Sequence, residues 1–129
     1  MIFEMISVGL SATTVIVAAA TFIVDFKRKK KTETLEKINE IFDEYYKIKN
    51  KDINMFYSDY VTYLSNLERF ARSVNEGVYY KKIVKSNLSI MLTEQYKKSL
   101  KEIIEQRRKQ FERDSYYENI EIMISYFSQ

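Results

Sequence analysis

The sequence contains no cysteine, no histidine and no proline, and only two glycines in 129 residues. Without cysteine there is no disulfide framework, no thiolate zinc site, no cysteine nucleophile and no lipidated cysteine, and the composition fits a reducing cytoplasm. Without histidine the commonest general base and imidazole metal ligand are missing, along with the familiar catalytic triad. These absences point away from an enzyme and toward a chain with no cofactor and no metal. Glu118 and Glu121 have metal-ligand spacing, but with no second pair and no histidine they read as surface residues.

Charge of one sign is also scarce once it is divided along the chain. The net charge of +3 comes from 21 basic and 18 acidic residues. Lys27, Arg28, Lys29, Lys30 and Lys31 are five of those bases, and Glu4 and Asp25 are the only acids before them, which leaves sixteen of each sign after residue 31. The body of the chain is neutral. Its cations at Lys97, Lys98, Lys101, Arg108, Lys109 and Arg113 are interleaved with Glu94, Glu102, Glu105 and Glu112, the pattern of a solvated, ion-paired helix. Nucleic acid is therefore not an expected partner.

What is present begins with an uncharged, mainly apolar run over 5–24, the length a helix needs to cross the hydrocarbon layer. A cleaved leader would carry its positive charge before such a run; here Glu4 precedes it and KRKKK follows. The expectation is one membrane span, with the N-terminus outside and the 27–31 cluster on the cytoplasmic face of a bacterial cell membrane. That cluster can also hold anionic lipid head groups. Ser7, Thr14 and Thr21 are seven apart, as are Ser11, Ala18 and Asp25, so small or polar side chains form a stripe suited to self-association. Leu35 and Phe42 continue the register that starts at Ser7.

The expected fold is all-α: an anchor with its basic flank over 1–31, whose helix can continue as a stalk, and a small cytoplasmic helical bundle over 32–129. Nothing between Leu10 and Glu76 forces the chain out of helix. Leu35, Ile38, Ile41, Phe42, Tyr45 and Ile48 share one helical face, and the polar stretch 49–54 supplies the first turn. A helix over 55–75 ends at Gly77. Further helices are expected over 80–92 and 93–113, separated by a cap near Thr93. A last one, capped by Asp114 or Ser115, buries Tyr116, Tyr117, Ile120, Met123, Ile124 and Phe127. Eleven tyrosines and eight phenylalanines read as core and interface filler.

Two charges break the pattern. Glu68 and Arg107 each fall on the apolar arc of their helix, and burying either alone is costly, so a Glu68–Arg107 ion pair is expected, fixing helix register. The segments NLERFARSVNEGVYY at 66–80, EQRRKQ around Arg107 and YYENIE at 116–121 resemble a family of uncharacterised small bacterial proteins with an N-terminal membrane helix and a cytoplasmic helical domain. The resemblance implies the fold and the anchor and carries no activity; its members resemble accessory proteins of mobile or defence-related loci. The expected function is a membrane-tethered, self-associating interaction module with a protein partner at the inner membrane face. The rival is an antiviral or growth-arresting effector whose assembled membrane helices perturb the bilayer.

Overall fold

The computed structural model describes the backbone of residues 2–129 and the side chains of residues 15–129. Among the described residues there are five α-helices: α1 (Ile2–Ile48), α2 (Tyr57–Asn75), α3 (Lys81–Gln95), α4 (Lys101–Phe111) and α5 (Glu118–Phe127). A π-helical turn, Tyr96–Leu100, joins α3 to α4. Among the described residues there is no strand. The all-helical expectation holds.

With no proline anywhere and no glycine between Gly9 and the end of α1, nothing breaks it, and one helix of 47 residues runs through the basic cluster and into the bundle. The apolar run expected to span a membrane is divided by the description. Its residues 5–14 lie outside the described side chains, and among the described residues no helix is long and apolar enough to cross a membrane. From Val15 to Lys29 every side chain of α1 is exposed. Burial begins at Thr34 and continues through Ile38, Ile41 and Ile48, with Phe42 and Tyr45 packed at the margin. The Tyr60 hydroxyl of α2 lies 2.8 Å from the carbonyl of Lys51 and 3.1 Å from that of Ile48, so its proton serves the turn that follows α1.

Helices α2 and α3 form the middle of the bundle, with α1 on one side and α5 on the other. α2 buries Tyr60, Tyr63, Leu64, Leu67, Phe70, Ala71 and Val74 along one face. It ends as expected at Gly77, whose φ of 81° places it in the left-handed region. The amide of Val78 bonds the Ser73 carbonyl at 2.9 Å and that of Gly77 bonds Val74 at 3.0 Å, so the last open carbonyls are used.

The boundary expected near Thr93 does not exist. Buried positions run Val84, Leu88, Leu92, Gln95 and then step by five to Leu100, followed by Ile103 and Ile104. An uninterrupted α-helix would carry that step off the core face. The π turn absorbs the extra residue and keeps both halves on one core. Past Phe111 the chain reverses through two left-handed residues that are not glycine, Glu112 (φ 52°) and Tyr117 (φ 62°). Helix α5 consequently starts at Glu118, not at Asp114 or Ser115, and none of its own side chains caps it.

Candidate functional site

Two charged regions compete for the role of a site. The first gathers the three segments that carried the family resemblance. Glu68 and Arg107 are both partly buried, yet they do not pair. The Glu68 carboxylate reaches the start of α5, where Oε1 accepts from the Ile120 amide at 3.0 Å and Oε2 from Asn119 Nδ2 at 3.0 Å. Asn75 Nδ2 donates to the Asn119 carbonyl at 3.0 Å. Glu68 is thus the missing N-cap of α5, delivered from another helix, and open amides at a helix start suit a carboxylate as well as a guanidinium does.

Arg107 instead donates from Nε to the Tyr117 hydroxyl at 2.8 Å and lies over the Phe111 ring, 5.0 Å from its centre. Its neighbour Arg108, expected on the solvated face, is tied down: Nε donates to the Tyr116 carbonyl at 2.8 Å and a terminal nitrogen pairs with Glu121. Tyr96, from the π turn, donates to the other Glu121 oxygen at 2.6 Å. Burial would raise the Glu121 pKa, but the hydrogen bonds from Arg108 and Tyr96 outweigh it and hold the carboxyl below its usual range. Burial, reinforced by the Glu121 carboxylate, pushes Tyr96 up to about 12. The network is internal to the chain: it holds the reversal between α4 and α5, and each of its charged side chains has a partner there. Among the described residues no cluster of three acidic side chains could hold a metal ion.

The second region is the basic collar. Lys29 lies 3.9 Å from Glu33, and Lys30 sits over the Tyr80 ring, 4.6 Å from its centre. Lys27, Arg28 and Lys31 of α1 line a cleft of about 600 Å³ with Tyr80, Lys81, Lys82 and Ile83 from the start of α3 and Tyr126 from α5. Thr34 positions the two walls. Fully buried, it donates to the Lys30 carbonyl at 2.7 Å and accepts the Tyr80 amide at 3.1 Å, which pins the start of α3 one turn beyond the collar. The turn between α2 and α3 lies beside it, with Gly77 and Val78 against Phe26, Lys29, Lys30 and Glu33. Sequence reasoning named the collar but missed Thr34, Lys81 and Lys82. The signal for Thr34 was its place in the 34-38-41-45-48 stripe, where a threonine stands among apolar residues.

The self-association stripe is only partly visible. Ser7, Ser11 and Thr14 lie outside the described side chains, while Ala18, Thr21 and Asp25 are exposed. Thr21 Oγ1 donates to the Val17 carbonyl of its own helix at 3.0 Å, so this hydroxyl is already satisfied and offers small size more than a hydrogen bond. Leu35 is exposed and Phe42 is half-buried.

A long N-terminal helix, a four-helix body packed on its second half and a basic girdle where the two meet define an all-helical, single-body protein. The chain belongs to the family described as a domain of unknown function, DUF4760, whose model matches residues 5–126. That match takes in the apolar run as well as the bundle. No curated protein and no solved structure matches the chain.

Proposed function

We propose that this protein is a membrane-tethered helical interaction module. Its 5–24 segment crosses the bilayer of a bacterial cell, its 27–31 collar lies at the cytoplasmic surface, and its bundle presents a tyrosine-rich surface to copies of itself and to a protein partner. The observation that carries this reading is α1 itself. The helix leaves the uncharged run, passes the collar without a break and enters the core at Thr34, about 15 Å beyond Val24 at 1.5 Å per residue. A domain clamped so close to its basic girdle rests on the head-group layer.

The test is made on the full chain in cell membranes. Resistance to alkaline carbonate extraction and digestion of the bundle only from the cytoplasmic side are the expected results; release by carbonate would overturn the tether. Because the chain has no native cysteine, a single Ala18→Cys substitution reports self-association by disulfide crosslinking. Replacing Ser7, Ser11, Thr14 and Thr21 by leucine should leave a tether working. An inserted leucine variant that loses its cellular effect would assign that effect to the membrane segment and favour the bilayer-perturbing effector.

A further inference from the structure

The geometry points to a binding site for one anionic phospholipid in the cleft between the collar and the start of α3. The inference rests on the membrane-tether reading and adds to it a defined ligand and a second wall. The cleft is lined by Lys27, Arg28, Lys31, Lys81 and Lys82, and no acidic side chain lines it. Spacings of three and four residues put Lys27, Arg28 and Lys31 side by side on α1, an arrangement in which like charges repel. None of the five has a salt-bridge or hydrogen-bond partner among the described residues, in contrast to Lys29, Lys37, Lys51 and Arg108.

The second wall strengthens the argument. Helix α3 has no acidic residue in its first turn and no side-chain cap, and Lys81 and Lys82 occupy the turn where helix polarity favours a negative group. Cations there are unfavourable for the helix alone and become favourable around a phosphodiester. The floor is apolar and aromatic, formed by Tyr80, Ile83 and Tyr126. A charged rim over an apolar floor matches an amphiphile, with the phosphate among the lysines and the glycerol and upper acyl chain along the tyrosines. Thr34 fixes the rim to the level of the collar, where a lipid head group would lie.

The experiment uses the full chain in a mild non-ionic detergent, titrated with short-chain phosphatidylglycerol, short-chain phosphatidylcholine and inorganic phosphate. The readouts are tyrosine fluorescence and hydrogen-exchange protection over 27–34 and 80–86. The site predicts saturable binding of phosphatidylglycerol, tighter than phosphatidylcholine by about tenfold or more, and a loss of about tenfold or more in the Lys81→Gln/Lys82→Gln double variant, which keeps the collar intact. Equal binding of the two lipids would overturn the proposal, as would an unchanged affinity in the double variant, since the collar alone would then account for it. Inorganic phosphate binding as tightly as the lipid would also overturn it in favour of a soluble phosphate ligand. Insertion is scored separately, by carbonate extraction from pure phosphatidylcholine vesicles. A chain that inserts but shows no lipid preference refutes the site and spares the tether; a chain that fails to insert refutes the tether.

Discussion

At the turn between α4 and α5 the guanidiniums of Arg107 and Arg108 and the carboxylates of Glu68 and Glu121 all have partners in the chain, whereas the five cations facing one another across the collar cleft have none among the described residues. The two regions are similar in how many charges they hold and opposite in what is done with them. A closed network stabilises a fold, because each desolvated group is compensated on the spot. An open set of like charges stabilises nothing by itself, and its compensation must come from outside the chain. Glu68 and Arg107, expected to fix helix register as one pair, are held by separate partners, while the collar, expected to set orientation and to hold anionic head groups, keeps its charges open to an outside ligand.

The comparison can be broken most directly at Glu68. Replacing it by alanine leaves the start of α5 uncapped and should destabilise the fold by about 2 kcal/mol, measured by denaturant unfolding of the full chain in detergent, with lipid affinity unchanged. Thr34→Val removes the acceptor for the partly buried Tyr80 amide at nearly constant volume. The expected loss is about 1–2 kcal/mol and, unlike the first variant, a weaker lipid preference, because the two walls of the cleft are no longer held in register.

Glu121→Gln should cost about 1 kcal/mol, since its pair with Arg108 is only partly buried. Its folded pKa is lowered, so the carboxylate contributes stability above the unfolded value of about 4.3 that is lost as pH falls through the folded one. The glutamine variant should flatten that acid limb. Tyr96 behaves in the opposite sense: its contribution is complete below the unfolded pKa of about 10 and disappears as pH rises toward about 12. Tyr96→Phe should therefore remove the alkaline limb and, by taking one donor away from Glu121, also weaken the acid one.

The smallest effect sharpens the contrast most. Lys81→Glu with Lys82→Glu should leave the fold as stable or raise its stability by about 0.3–1 kcal/mol, because acidic groups suit the first turn of a helix. The same variant should lose the lipid preference. A drop in stability would mean that the collar cleft belongs with the structural charges after all.

The helices of the bundle were legible because their apolar faces repeat with helical spacing, and Gly77 marked the end of α2 in the only conformation that residue was needed for. The boundary at Thr93 was misplaced because it rested on a capping residue type, whereas the apolar phase shifts between Gln95 and Leu100, where a π turn accommodates it without a break. The start of α5 was misplaced because Asp114 and Ser115 are good caps by residue type, while the cap in use comes from Glu68, 50 residues and more away in sequence, as its bond to Ile120 shows. A helical wheel set Glu68 and Arg107 on the apolar arcs, where they are partly buried, but could not say which of several polar partners each would meet. Lys81 and Lys82 escaped notice for a similar reason, since only the packing of α3 on α1 brings them opposite the collar.

The unbroken course of α1 has a mechanical consequence. With no proline, glycine or loop from Leu10 to Ile48, the helix acts as a drive shaft between its exposed apolar segment and the residues Ile38 and Ile41 that seat the bundle. A rotation or tilt imposed at one end arrives at the other without being absorbed by a joint. Two such shafts turning against each other would swing their bundles by the same angle. The direction in which each bundle faces its neighbour is then geared to how the shafts meet.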